Sequence, residues 1–186
     1  MTVETPEIQR WQFTVADFML MGAAGILAED DRVELVDGEI RAMSPVGAAH
    51  GAVINRLNML FVPAFSGKAV VSVQNPIQLD DFTEVLPDVA VLRYREDFYA
   101  LAHPSPPDVL LLIEVADSSL RYDRGEKRLR YAQAGISEYW VVDMVGRCVF
   151  QYVDPEATGY RTERVLAAGD VCVFGADVSL PVGDLF

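Results

Sequence analysis

The stretch "VLLLIEVADSSLRYDRGEKRLRYAQAGISEYWVVD", residues 109 to 143, constrains this chain more than any other. Val109 to Val115 is an apolar run of strand length, and "SEYWVVD" is a second that reads as buried on both faces. Between them Asp123, with Glu126 three residues on, reads as a capping box that starts a helix running to about Ala134 and stopped by Gly135. A strand that returns to the same sheet through a helix is a crossover, so the segment predicts a βαβ unit inside a mixed or parallel sheet. Glu114 stands within the first strand. A buried ionised carboxylate costs several kcal/mol unless a cation compensates it. Lys127, placed by this reading in the first turn of the helix, can point back across Glu114.

The flanking sequence supplies further elements. Thr14 followed by "VADFMLMGAAGIL" predicts a capped first helix. "DRVELVDGEIRAM" predicts a hairpin about Asp37-Gly38. From Gly47 an amphipathic helix of about four turns places Val53, Leu57, Leu60 and Phe61 on one stripe. Strands are expected at Ala69 to Leu79 and at Val85 to Leu92, with "DDFTE" as the turn between them. Residues 93 to 108, with Pro104, Pro106 and Pro107, form a connection that cannot be a central strand. The tail, "RCVFQYV", "YRTERVL" and "VCVF", reads as a β-meander. The expected class is therefore α/β (α+β): a mixed central sheet flanked by helices, with an N-terminal helix and hairpin and a C-terminal meander. Residues 1 to 186 read as one domain with its core at about 47 to 143, since a chain of this length can bury roughly 70 % of its unfolded surface.

A formal charge of -13 argues against a protein that coats nucleic acid non-specifically. Distribution qualifies the total: Arg121, Arg124, Lys127, Arg128 and Arg130, five of the 15 basic residues, fall within ten positions directly after Glu114. Such a cluster is either a solvated helix face or a phosphate-binding site. Glu4 and Glu7 precede any apolar stretch, and no apolar run approaches the ~20 residues of a membrane span, so an intracellular, cytoplasmic protein is expected. Cys148 and Cys172 lack CxxC spacing and read as buried free thiols.

Asp88, after a proline, and Glu114 stand at the ends of neighbouring predicted strands, with a lysine on the following helix. Mg²⁺ needs one or two protein carboxylates and takes its remaining ligands from water, a backbone carbonyl or a phosphate. Such a site can hydrolyse a phosphodiester through metal-activated water, with an ammonium nearby orienting the nucleophile or stabilising the transition state. "SGKAV" at 66 to 70 lacks the first glycine of a phosphate loop, so no nucleotide cofactor is expected. Ser118 and Ser119 have no nucleophile elbow around them. His103, in the Pro-rich connection, has no companion, and Gln74 carries a weak signal.

Six segments, "RVELVDGEI" at 32 to 40, "SPVGAAH" at 44 to 50, "LPDVAVL" at 86 to 92, "LLIEVADSSLRYD" at 111 to 123, Lys127 with Tyr131, and "GISEYWVVD" at 135 to 143, resemble the Uma-type family of the PD-(D/E)xK nuclease superfamily. The resemblance implies a restriction-endonuclease-like core and a DNA endonuclease using Mg²⁺ or Mn²⁺. It implies Asp88, Glu114 and the backbone carbonyl of Val115 as metal ligands, and a homodimer. Glu34, His50 and Tyr131 fall at positions that would be accessory to the site, and Arg121 and Arg124, expected on a loop, would meet phosphates. One departure stands out: the superfamily's lysine lies two residues after the acid, where this chain has Ala116, and the resemblance implies that Lys127 replaces it from the helix. Lysine is rare here, with only Lys68 and Lys127 against 13 arginines, and the two residue types are not interchangeable at a site. Two alternatives remain open on the sequence: an inactive module of nuclease fold, and a domain in which Glu114, Asp123 and the arginines form an internal ion network, with Glu114 paired to Arg121 or Arg124.

Overall fold

The computed structural model describes residues 10–28, 30–176 and 178–186; Glu4 and Glu7 lie outside them. In chain order the elements are α1 (Val15–Ala23), β1 (Val33–Val36), β2 (Glu39–Ala42), α2 (Ala48–Phe65), β3 (Ala69–Val73), β4 (Ile77–Asp80), β5 (Thr83–Val85), β6 (Val89–Arg93) and β7 (Val109–Ala116). Then come an interrupted helix, α3, made of Leu120–Tyr122, a π turn Asp123–Lys127 and Arg128–Gln133, and the strands β8 (Glu138–Asp143), β9 (Cys148–Glu156), β10 (Gly159–Ala167), β11 (Val171–Phe174) and β12 (Val178–Pro181). A six-stranded sheet in the order β10-β9-β8-β7-β6-β3 lies beside a four-stranded one, β2-β1-β5-β4. The β7–β8 pair is parallel and the other pairs of the large sheet are antiparallel. The class expected from the sequence, a mixed sheet flanked by helices with an N-terminal helix and hairpin, is the one observed.

Strand residues alternate between the two faces of a sheet, so the large sheet has two cores. Leu111, Ile113, Val115, Trp140 and Val142 pack under α2 with the C-terminal β-ribbon, whereas Leu112, Ala116, Tyr139 and Val141 pack under the second half of α3. Glu114 shares the parity of Leu112 and Ala116. Its carboxylate therefore points to the α3 face.

Several local expectations are corrected. The run expected as one strand from Ala69 to Leu79 is two, β3 and β4, in different sheets, because Gln74 adopts a φ of 50° and Pro76 has no N–H to donate. Pro87 likewise separates β5 from β6, so the chain changes sheet immediately before Asp88. The helix expected at Asp123 begins at Leu120: the Asp123 N–H is already bonded to the Ser119 carbonyl, so Asp123 cannot be a cap, and Lys127 lies beyond the first turn. On α2, Leu60 lies at the edge of the stripe and is exposed, while Val53, Ile54, Leu57, Phe61 and Phe65 are buried. The C-terminal meander ends at β10, since β11 pairs with β12 in a separate ribbon. Both cysteines are free, Cys172 buried and Cys148 half-buried.

The hairpin turn has positive φ at Asp37 (53°) and Gly38 (74°), the twist that a two-residue connection requires. A Cβ on Gly38 would stand 2.6 Å from the Gln12 Cβ and 2.9 Å from its Cα. Gly38→Ala is therefore expected to destabilise the protein by about 1–3 kcal/mol in urea unfolding. No helix of the described residues is long and apolar enough to cross a membrane.

Candidate functional site

The entry of the chain into β6 builds the site. Val89 pairs with Ile113, so one further step of the antiparallel register sets Asp88 opposite Glu114. The Val115 N–H, left without a strand partner beyond the end of β6, donates to Asp88 Oδ2 at 2.8 Å. Ala116 turns its carbonyl toward the β8 side, where it accepts from Met144 N. Carbonyls alternate along a strand, so that of Val115 faces the Asp88 side.

These groups line a cleft of about 460 Å³. The hairpin forms one wall with Glu34, the start of α2 contributes His50, and the loop from β7 into α3 closes the other side with Asp123 and Lys127. Glu34, Asp88, Glu114, Asp123 and Lys127 are each at most 6 % exposed. The π turn widens α3 by one residue and sets Asp123 and Lys127 on the cleft side together. Gly125 within it, with little intrinsic helix preference, suits the distortion.

Lys127 Nζ donates to Glu114 Oε1 at 3.0 Å and lies 3.3 Å from Glu34 Oε2. The Tyr131 hydroxyl donates to the same Glu114 Oε1 at 2.7 Å, and that of Tyr122 to Glu34 Oε1 at 3.1 Å. Both donors to Glu114 thus occupy one oxygen. Among the described residues none donates to Oε2. Asp88 Oδ2 also lies 3.2 Å from His50 Nε2, and Gln74 Nε2 donates to Oδ1 at 3.2 Å. His50 Nδ1 is buried without a hydrogen-bond partner. The Ser119 hydroxyl donates to Asp123.

Burial lifts the Glu114 carboxyl to about 8, with Lys127 opposing and Asp123 and Asp88 reinforcing the rise. Burial also raises Asp123 against the pull of Lys127. Burial works to lift Asp88 as well, but hydrogen bonds from His50, the Val115 N–H and Gln74 leave it below the ordinary carboxylate range. The bond to Asp88 raises His50. For Lys127, burial favours the neutral amine, yet Glu114, Glu34 and Asp123 together hold it protonated and raise it further.

Four buried carboxyl groups therefore stand about one lysine and one histidine; burial and their mutual repulsion disfavour ionising all of them, and a divalent cation would offset that repulsion. No group of three or more His, Cys, Asp or Glu side chains among the described residues is arranged to hold a metal by itself. The groups that could hold one are instead Asp88, Oε2 of Glu114 and the Val115 carbonyl, with His50 adjacent. Few carboxylates and remaining oxygens from backbone and solvent are what Mg²⁺ requires.

Of the residues singled out from the sequence, the cleft brings together Glu34, His50, Asp88, Glu114, Val115 and Lys127. Tyr131 sits beneath them, fully buried against Glu114. Arg121 and Arg124 are not on a loop: they lie on α3, outside the cleft lining, and Arg124 binds the Tyr152 hydroxyl and Glu163 and covers the Phe150 ring. Glu114 pairs with neither arginine. His103 has a companion after all, buried Glu84 at 2.8 Å. Gln74, Asp123, Tyr122, Arg32 and Arg41 belong to the site surroundings without having been assigned there. For the arginines a signal existed: period-two alternation puts Arg32 on the face of Glu34, and the hairpin register sets Arg41 opposite Glu34.

The chain matches the Uma2 family, described as putative restriction endonuclease, over residues 16–179. A crystal structure of a putative nuclease belonging to DUF820 from Anabaena variabilis ATCC 29413 superposes with a TM-score of 0.75 at 17 % identity, covering 94 % of this chain and 97 % of that one. No curated protein matches the chain.

Proposed function

The chain belongs to the Uma2 family, and from that premise we propose that it is a divalent-metal-dependent endonuclease that hydrolyses phosphodiester bonds of DNA at the Asp88–Glu114 cleft. One observation carries the reading: Glu114, buried and opposite Asp88, has both its protein donors on Oε1 and offers Oε2 to the cleft. Asp88, Glu114 Oε2 and the Val115 carbonyl would hold Mg²⁺ or Mn²⁺, with His50 beside them. When bound, the cation supplies Lewis acidity at a phosphoryl oxygen and acidifies a water molecule.

The protein groups divide the remaining work. Lys127 cannot serve as a general base, because three carboxylates keep its ammonium protonated. It contributes fixed positive charge where negative charge develops on the phosphate, worth more in a site removed from bulk water. Tyr131 fixes the Glu114 carboxylate by its hydroxyl and leaves the second oxygen available.

Incubation of the purified protein with supercoiled plasmid and with single-stranded DNA tests the reading. Cleavage is expected with Mg²⁺ or Mn²⁺ and none in chelator. Binding of DNA without cleavage in either metal would instead identify an inactive module of the same fold.

A further inference from the structure

The cations that line the cleft have carboxylate partners with one exception. Lys127 contacts Glu114 and Glu34, Arg41 contacts Glu126 at 2.6 Å and Glu39 at 3.7 Å, and His50 contacts Asp88. Arg32 lines the same cleft, and among the described residues no carboxylate pairs with it. Its Nε is buried without a hydrogen-bond partner. The position is fixed from below, since the Arg32 carbonyl accepts from Met43 N across the hairpin. Arg32 stands two residues before Glu34 on the same face of the hairpin, in the cleft that His50 and Asp88 also line.

A buried donor without an acceptor is costly, so a guanidinium is kept in this state where a ligand completes it. The ligand must be an anion small enough to enter a cleft already dense with carboxylates. A phosphodiester oxygen fits, because the guanidinium fork matches phosphate geometry with two parallel N–H donors. In a protein of net charge -13 the backbone of a nucleic acid is repelled almost everywhere else. We propose that Arg32 binds a backbone phosphate of the nucleic acid and seats the strand in the cleft. The inference rests on the nuclease reading and moves the phosphate contact from Arg121 and Arg124 to the hairpin.

The test uses the full chain, a fluorescein-labelled DNA duplex and a labelled single strand, with Ca²⁺ in place of Mg²⁺. Arg32→Met is expected to weaken binding about tenfold at fixed salt and to make the slope of log K against log salt shallower by about one. Arg32→Lys should keep the slope and lose part of the affinity, since a point charge replaces a fork. With Mg²⁺, KM should rise with kcat little changed, and Mn²⁺ affinity measured by calorimetry should be unaltered. Wild-type affinity and salt slope in Arg32→Met would overturn the inference and leave the nuclease reading standing. Native protein that neither binds nor cleaves DNA would overturn both. If Arg32→Met lacks native circular dichroism, Arg32→Lys decides, and undiminished affinity in that variant overturns the inference.

Discussion

Glu114→Gln is expected to lower metal-dependent cleavage at least about a thousandfold while leaving the metal-free fold no less stable than the native one. The substitution keeps the shape and one acceptor oxygen for Tyr131 and Lys127 but removes a carboxyl whose ionised form burial, Asp123 and Asp88 all disfavour. Its stability should also lose a pH dependence. The Glu114 carboxyl ordinarily titrates near 4.5 and is lifted to about 8 in the fold. Between those values the folded protein holds a proton that the unfolded chain has released, so stability falls as pH rises. The contribution is full below about 4.5 and gone above about 8. Asp123, also raised, adds to the same slope. Asp88, depressed, acts oppositely and at the acid end, where its stabilisation is lost as pH falls. Denaturant unfolding in chelator from pH 5 to 9 should thus show native protein weakening with pH and Glu114→Gln weakening less. A variant more than about 2 kcal/mol less stable than native at pH 7 would show that Glu114 serves an internal ion network, as a buried pair does when one partner is removed.

The parallel β7–β8 pair and the intervening helix were legible because strand-length apolar runs and a 3.6-residue period are local signals, and Asp37-Gly38 announced its own turn. The sheet change at Gln74 to Pro76 and at Pro87 was less so. Two breakers inside otherwise continuous apolar runs read as irregularities of one strand until the partners on either side are known. The same limit applied to the site. Asp88 and Glu114 could be picked out because a charge is conspicuous in an apolar strand. Asp123 was mistaken for a cap because its sequence context fits one, and only the helical start at Leu120 shows that its backbone N–H is already engaged. Gln74 reaches Asp88 through a left-handed residue at the end of β3, a conformation that an isolated Gln does not advertise. Arg121 and Arg124 show the converse: proximity in sequence to the site did not place them on its face.

Lys127→Met is the variant that separates structural from chemical service, because Lys127 does both. The methionine stem occupies much of the same volume, so the change is chiefly the loss of an ammonium shared by Glu34, Glu114 and Asp123. Removing one partner of a buried ionic cluster strands the others, and the metal-free protein is expected to lose roughly 3–5 kcal/mol. A divalent cation bound at Asp88 and Glu114 returns part of the missing charge, so saturating Mg²⁺ should restore much of that stability by mass action. Cleavage should nevertheless remain about a hundredfold or more below native, since the cation and the ammonium act at different places on the developing charge. Unfolding and cleavage measured on the same protein across a Mg²⁺ titration decide the matter: recovery of both together would leave Lys127 a structural role alone. Adding Ala116→Lys is expected to rescue little. Residues 114 and 116 do share a face, but Ala116 is fully buried in the cluster that holds Tyr131 and Tyr139. A four-carbon stem there overpacks the rings at about 1–3 kcal/mol. The lysine on α3 and the alanine on β7 are therefore one arrangement: the two tyrosine rings that fill the space beside the strand leave the ammonium only the helix from which to enter.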